Sequence, residues 1–265
     1  MKKDHISVLM AVYNAEDTLR EAIDSILAQT YTNWKFIICN DCSTDNSEEI
    51  LQEYAKKYPE KFLIIHNEVN SRLAASLNHC LEYADGEFCA RMDADDYVDS
   101  TRFEKQINYL RANPNISLVG TSMYGFDDKG LTKVISYKEH PTKFDLKDGP
   151  CFSHASIMMY TQVYHDIGGY IVSKRTMRSQ DYDLWLRFFA KNYEGANITE
   201  PLYFVREDYN SFLRKKPKQY FWSVVTRFKG FKMLNYPVHY YIYAFRPILS
   251  FIKNELNKIK YKITR

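Results

Sequence analysis

No G-x-G-x-x-G motif follows the first apolar run, and no G-x-x-x-x-G-K-[ST] motif occurs anywhere in the 265 residues. The first absence weighs against a dinucleotide oxidoreductase and the second against a P-loop NTPase, because both rely on a glycine-rich turn that brings backbone amides against phosphate. The five cysteines, Cys39, Cys42, Cys80, Cys89 and Cys151, are odd in number and lack paired metal-site spacing. They read as reduced thiols of an intracellular chain. The apolar stretch from Pro237 to Ile252 is interrupted by His239 and Arg246-Pro247, and it is too short and too polar to span a bilayer, which needs about 20 apolar residues. Met1-Lys2-Lys3 precedes an apolar run that stops at Asn14 without a small-residue cleavage site, as expected of a first strand and not of a signal peptide. Acid is scarce at the far end. Arg214 to Arg265 carries 13 basic residues and the single acid Glu255, which leaves 23 basic against 32 acidic residues before it. The net charge of +3 therefore hides a tail near +12 and a body near −9.

What is present describes a globular protein. Hydrophobic residues make up 45% and charged residues 26%, a soluble composition with enough apolar material for one large domain and an appendage. Tyrosine is frequent, at 22, which suits sugar-stacking or interfacial surfaces as well as an ordinary core. Ile6 to Val12 is a continuous apolar run suited to a buried parallel strand, and Leu19, Ile23, Ile26 and Leu27 then recur at helical spacing. Phe36 to Cys39, Phe62 to Ile65 and Phe88 to Met92 read as further strands. Helices fall between them, over Ile50 to Ala55 and Leu73 to Ala84. Strands alternating with helices imply a doubly wound, mostly parallel α/β sheet, whose ligands sit at the carboxyl ends of the strands. Two acidic loops lie there: Asp41, after the second strand, and Asp93, Asp95 and Asp96, after the fourth. Carboxylates grouped at a strand end suit a hard divalent cation such as Mg²⁺ or Mn²⁺, which is commonly held by one or two of them while a bound diphosphate completes its shell. A solvated acidic turn is the plainer reading of such a charge run. Asp127-Asp128-Lys129-Gly130 reads as a hairpin turn, so antiparallel strands are expected in the second half.

Several segments, in order, resemble family 2 glycosyltransferases of the GT-A fold. They are Ser7 to Asn14, Asn40 to Asp45, Leu73 to Asn78, Ala90 to Asp96, Arg102 to Gln106, Ile167 to Tyr170 and Gln180 to Arg187, together spanning roughly residues 5 to 206. The resemblance implies an inverting, metal-dependent hexosyltransferase of the bacterial cell-surface polysaccharide type. Residues 1–213 would form the catalytic domain, with 1–98 as the nucleotide-sugar half and 99–213 as the acceptor half, and 214–265 a helical basic tail. It assigns nucleotide contacts to Asp41, Asp93, Tyr13, Ala11 and Arg72, the metal to Asp95 and Asp93, and the general base to Asp181. Asp96, His154, Gln180 and Arg206 stand where diphosphate or acceptor contacts are expected.

Three positions depart from the family pattern. Gln180 replaces the usual Glu and removes a charge beside Asp181, while Cys42 and Arg72 stand where glycine is common. Gln180 keeps open a second reading, a catalytically impaired nucleotide- or glycan-binding module of the same fold. A phosphotransfer enzyme of the dehalogenase-like kind also uses D-x-D, but there the motif ends the first strand. No Q-x-x-R-W segment follows Asp181 and no multi-span region is present, so transfer of a single sugar is expected, not processive synthesis. Twelve aromatic residues among the last 52 are interleaved with lysine and arginine, for example from Lys215 to Trp222. That pattern suits an anionic membrane surface at the inner face of the plasma membrane. Nucleic acid is not expected as a partner of so acidic a body.

Overall fold

β1 (Lys2–Val12) lies between β2 (Trp34–Asn40) and β4 (Gly86–Arg91) and runs parallel to both. In the computed structural model, residues 1–207 and 216–263 are described. The domain boundary expected between residues 213 and 214, with Arg214, Lys215 and the last two residues of the tail, lies outside them. Two compact units form, one of Met1–Pro141, Cys151–Tyr170 and Tyr193–Arg206, the other of Thr142–Pro150, Ile171–Asn192 and Glu207–Arg265.

The first unit holds a nine-stranded mixed sheet among the described residues, completed by β3 (Phe62–His66), β5 (Tyr97–Val98), β6 (Ile116–Asp127), β7 (Gly130–Ile135), β8 (Met158–Tyr160) and β9 (Glu194–Arg206). The order is β3-β2-β1-β4-β8-β6-β9-β5, with β7 paired to β6. β1 to β4 form the parallel core, and β8 joins β4 antiparallel. The expected hairpin closes where Asp127 pairs with Gly130. Because β2 and β3 lie to one side of β1 and β4 to the other, the strand order reverses at β1, the point where such sheets open a crevice.

Periodicity explains the layers. Ile6, Val8, Met10 and Val12 alternate onto one face, where they share a core with Leu19, Ala22, Ile23 and Ile26 of α1 (Leu19–Leu27) and with Phe103, Ile107 and Leu110 of α4 (Arg102–Ala112). α2 (Ser47–Lys57) adds Ile50, Leu51 and Tyr54 to that core, and α3 (Arg72–Glu82) packs against β1 and β2. Each fully buried side chain of this size contributes about 1.5–3 kcal/mol. β1 and β4 come close at Gly86, where an added Cβ would lie 2.5 Å from the His5 carbonyl oxygen and 2.9 Å from the Ser7 nitrogen. Both neighbours are backbone and cannot rotate away. Gly86→Ala is therefore expected to destabilise the protein by about 1–3 kcal/mol, read as a lower midpoint in urea with an unchanged slope. β9 carries Pro201, which lacks an N–H, and the β6–β9 register shifts between Thr121 and Ser122, the latter paired to Pro201.

The second unit is helical. α6 (Gln180–Ala190) packs on α7 (Pro217–Met233), which packs on α8 (Arg246–Ile263). A 3₁₀ stretch, Val238–Phe245, joins the last two. Gly230 lets α7 approach α6, since a Cβ there would meet the Leu186 side chain at 2.2 Å. α5 (Thr161–Asp166) belongs to the first unit.

Candidate active site

β4 ends at Arg91, and the following loop carries Asp93, Asp95 and Asp96 beside the end of β1, where the Met92 N–H donates to the Leu9 carbonyl at 3.1 Å. Arg91 is fully buried and its Nη2 pairs with Asp93 Oδ1. Burial opposes the guanidinium charge, and the adjacent Asp93 carboxylate together with Tyr170 and Tyr203 outweighs it, so the pKa of Arg91 rises. Asp96 is buried, with Oδ2 accepting from the Tyr203 hydroxyl at 2.9 Å and Oδ1 from the Arg206 N–H at 2.8 Å. Arg206 holds the loop again through Nε to the Asp95 carbonyl at 3.2 Å and is itself held by Glu21 at 2.7 Å. The Thr18 hydroxyl anchors the Ala94 carbonyl at 2.9 Å. Asp95 differs from Asp93 and Asp96 in being an exposed residue, although protein crowds its carboxylate. Loss of surrounding water and the charge of Asp93 push its pKa above the ordinary carboxylate value.

Asp41 follows β2 on the other side of β1 and is almost wholly buried. Its Oδ1 accepts from Asn67 Nδ2 and the Ser71 N–H, both at 2.7 Å, and its Oδ2 accepts from the Arg72 N–H at 2.8 Å. A carboxylate offers about four acceptor positions, so Asp41 orders the start of α3 and retains one position for a ligand N–H. The two glycine-to-side-chain departures have a backbone consequence, since Cys42 has φ of 62° and Arg72 has φ of 68°. Left-handed backbone costs an L-residue about 1–2 kcal/mol, whereas glycine adopts it freely but loses about 0.5–1 kcal/mol through its looser unfolded chain. The Cys42 thiol contributes only a weak bond to the Asn67 carbonyl at 3.2 Å. Cys42→Gly is accordingly expected to stabilise the fold by about 0.5 kcal/mol, seen as a rise of one or two degrees in Tm, roughly.

Tyr13 follows β1 with 54% of its surface exposed, and Ala11 is partly covered at its register position opposite Cys39. His154 packs edge-on to Tyr170 and shares a 2.8 Å hydrogen bond with its hydroxyl. Burial lowers the His154 pKa to about 3, the Arg91 charge acts in the same direction and Asp93 opposes both, so the imidazole is neutral at ordinary pH. Asn78 fixes Tyr170 in turn, giving one 2.8 Å hydrogen bond to its carbonyl and taking another from its N–H. Two separate sequence segments, Leu73 to Asn78 and Ile167 to Tyr170, are thereby joined beside the acidic loop.

Asp181 lies in the second unit, on the first turn of α6, whose first residue is Gln180. Burial raises its pKa above 3.8, against the lowering effect of hydrogen bonds from the Tyr182 and Asp181 backbone. A raised proton affinity at this position thus comes from burial, with neutral Gln180 as neighbour. The turn is fixed by Asp183, buried between Arg175 at 2.7 Å and Arg187 at 2.8 Å.

Comparison with known proteins shows the family. The model of glycosyl transferase family 2 matches residues 7–168. The chain is a family 2 glycosyltransferase. A Bacillus subtilis (strain 168) protein named as a glycosyltransferase, EpsE, is 40% identical over 244 residues, covering 92% of this chain and 88% of its own. WfaP of Escherichia coli, named UDP-Glc:alpha-D-GlcNAc-diphosphoundecaprenol beta-1,3-glucosyltransferase, is 28% identical over 192 residues, 72% of this chain and 73% of WfaP. Among solved structures, S. aureus TarS 1-349 in complex with UDP superposes with a TM-score of 0.68 at 16% identity, over 87% of this chain and 69% of that one. Mannosyltransferase PcManGT from Pyrobaculum calidifontis, in complex with GDP-Man and Mn²⁺, gives 0.62 at 15% identity, over 93% and 73%. These two likenesses show the fold, which is GT-A: a mixed sheet with a parallel core and helices on both faces.

Among the described residues, no three His, Cys, Asp or Glu side chains converge as a self-sufficient metal centre. The donor set fits a cation that a substrate helps to hold. Asp93 and Asp95 are hard oxygen donors, their mutual repulsion raises the pKa of Asp95, and one or two carboxylates are what a divalent ion takes when phosphates fill the remaining positions. Asp96 and Arg206 are engaged in holding the loop. Arg91, Tyr203 and Asn78 are the contributors that sequence reading did not single out. All three lay within marked segments, Tyr203 in Tyr203-Phe204-Val205-Arg206, which reads as a strand followed by an arginine, and nothing local distinguishes a buried arginine from an exposed one.

Proposed function

We propose that this family 2 glycosyltransferase moves a single sugar from a UDP-linked donor to a hydroxyl of a lipid-linked or cell-surface glycan, with inversion at the anomeric carbon. The observation that carries the reading is the pair Asp93 and Asp95 at the point where the strand order reverses, with Asp41 across β1. Asp41 takes the N3–H of the uracil on its remaining acceptor position, and Tyr13 offers a ring face to the base. Ala11 and Arg72 border the nucleotide, and neutral His154 donates a hydrogen bond toward the diphosphate. Asp93 and Asp95 would hold a divalent cation, Mn²⁺ or Mg²⁺, which would supply charge neutralisation at the diphosphate, an effect worth several kcal/mol. Asp181 receives the proton of the acceptor hydroxyl as its oxygen attacks, and its burial-raised pKa suits that role. The acceptor class rests on WfaP, whose name gives a sugar carried on diphosphoundecaprenol.

The tail is proposed to rest on an anionic membrane surface. Leu249, Ile252, Leu256 and Ile259 recur at helical spacing on α8 and expose 68%, 51%, 55% and 53% of their surface, amid the basic excess of residues 214–265. Among the described residues no helix is long and apolar enough to cross a membrane. Calorimetric titration with UDP, with and without Mn²⁺, tests the donor half of this function. Binding that strengthens at least tenfold with the metal is expected, and binding indifferent to the metal would remove the role given to Asp93 and Asp95.

A further inference from the structure

Three residues of α7, a helix of the basic tail, meet the segment that carries Asp181. Thr226 is fully buried, and its hydroxyl donates to the Arg175 carbonyl at 3.1 Å, sharing its proton with the Trp222 carbonyl of the same helix at 3.0 Å. Arg227 lies over the Tyr182 ring at 4.6 Å and donates to the Lys147 carbonyl at 3.0 Å. Gly230 gives room to the Leu186 side chain. Residues 175, 182 and 186 bracket Asp181 along the chain, so the base sits in a segment held by α7 on both sides.

The start of α6 is not fixed by its own cap. Ser179, the N-cap residue, makes no capping hydrogen bond, although a serine there ordinarily accepts from an N–H of the first turn. Its hydroxyl donates instead to the Arg175 carbonyl at 3.4 Å. That carbonyl therefore gathers two donors, one from Ser179 and a closer one from α7. The guanidinium of the same residue holds Asp183 at 2.7 Å, and the Asp183 N–H closes the first turn onto the Ser179 carbonyl at 3.0 Å. Tyr182, beneath Arg227, gives its N–H to the Asp181 carboxylate and its hydroxyl to the Leu146 carbonyl at 2.6 Å. Arg175 and Tyr182 are thus the two points through which α7 reaches the base.

Asp181 also lines a cavity of about 430 Å³ bounded by α6, α7 and α8, a volume within the range of small-molecule sites. Arg227 belongs to its wall and Thr226 does not. A substitution at Thr226 therefore acts on the turn and leaves the cavity wall as it is.

We propose that α7 holds the general base in place, and that Thr226 is the positioning residue which, through Arg175, sets where the Asp181 carboxylate stands. The proposal rests on the reading of Asp181 as the base. It gives the tail a part in the transfer step that is separate from membrane contact and lies beyond residues 7–168, the segment that the family model matches.

Thr226→Val keeps the shape of the side chain and removes its donor, whereas Thr226→Ser keeps the donor. Transfer by the full chain is followed with a UDP-sugar that the wild type consumes and a lipid extract as acceptor source. Thr226→Val is expected to lower kcat about tenfold with the donor KM held within about twofold, since misplacing a group by about 1 Å can cost up to about a hundredfold. Thr226→Ser should retain most of the wild-type kcat. In the Asp181→Asn background the valine substitution should cost less than about twofold, because the group that it displaces is already gone. Hydrogen exchange over residues 175–183 gives a readout free of turnover: it should be about fivefold or more faster in Thr226→Val, with β1 and β2 unchanged. Thr226→Ala answers the same questions if Thr226→Val exchanges quickly throughout the chain. Full kcat in the variant, an equal loss in the Asp181→Asn background, or unchanged exchange over 175–183 would each overturn the proposal. An Asp181→Asn protein that transfers as fast as wild type defeats the reading of the base, while exchange over 175–183 still reports whether α7 holds the turn.

Discussion

Asp181→Asn is expected to reduce sugar transfer by about 10²–10⁴-fold, the range associated with losing a positioned general base, while the affinity for UDP stays within about twofold. Release of UDP in the presence of acceptor is the readout. The residual rate reflects binding and charge neutralisation, which the substitution leaves in place. Asparagine preserves the shape of the side chain on the first turn of α6, so the loss is attributable to the proton acceptor. Wild-type transfer should fall as pH is lowered through the pKa of Asp181, which burial raises above 3.8, because the protonated carboxyl can no longer accept a proton. The same shift has a stability consequence of opposite sign. A carboxyl whose folded pKa is raised favours the fold at low pH, and that contribution is lost as pH rises through the raised value. The neutral Asp181→Asn protein escapes the loss, so above that pH its Tm should equal or exceed that of the wild type, as expected where an ionised group is kept for chemistry at the expense of stability.

Asp95→Asn is expected to abolish the strengthening of UDP binding by Mn²⁺, a drop of at least tenfold and up to about a hundredfold given the several kcal/mol that such neutralisation supplies. Binding without metal should change little, and stability should not decline, because the substitution removes the repulsion from Asp93. Asp96→Asn makes the contrast. Asp96 accepts from the Tyr203 hydroxyl and the Arg206 N–H, and an amide presents a donor to one of these donors. The expected cost is about 1–3 kcal/mol of stability, with the metal dependence of UDP binding retained if the loop still closes. Two carboxylates adjacent in sequence thus separate into a ligand-facing group and a loop-holding group, which calorimetry and thermal denaturation distinguish.

The first half of the fold was legible because its physics is local. Ile6 to Val12 and Phe36 to Cys39 are largely buried on both faces and read as apolar runs interrupted only at Ser7, and α1 carries its apolar stripe in plain view. The position of Asp41 and Asp93 at strand ends followed from the same alternation. β9 was harder: thirteen residues from Glu194 to Arg206 include Asn197, Thr199 and Pro201, and their place in the sheet depends on pairing with β6, far away in sequence. Only Tyr203 to Arg206 carried a strand signal. Buried Arg91 and Arg102 were invisible for a related reason. Arg102 donates from Nε to Gln106 at 3.0 Å and from Nη2 to the carbonyls of Arg91 at 2.9 Å and Ile157 at 3.3 Å, partners that only the folded chain assembles. The special backbone at Cys42 and Arg72 lay in plain sight as departures from glycine, yet their positive φ is a property of the turns and not of the residues. The cavity at Asp181 was not foreseen either, since it arises from packing between α6, α7 and α8.

The measurement that bears most directly on the account is a screen for UDP release from a panel of UDP-sugars, with Mn²⁺ and a lipid extract as acceptor source, run on wild type and Asp181→Asn in parallel. Release from one donor, dependent on the extract and lost in the variant, is the predicted result. A wild-type protein that is folded and binds Mn²⁺ and UDP but consumes none of the UDP-, dTDP- or GDP-sugars with any extract would contradict it.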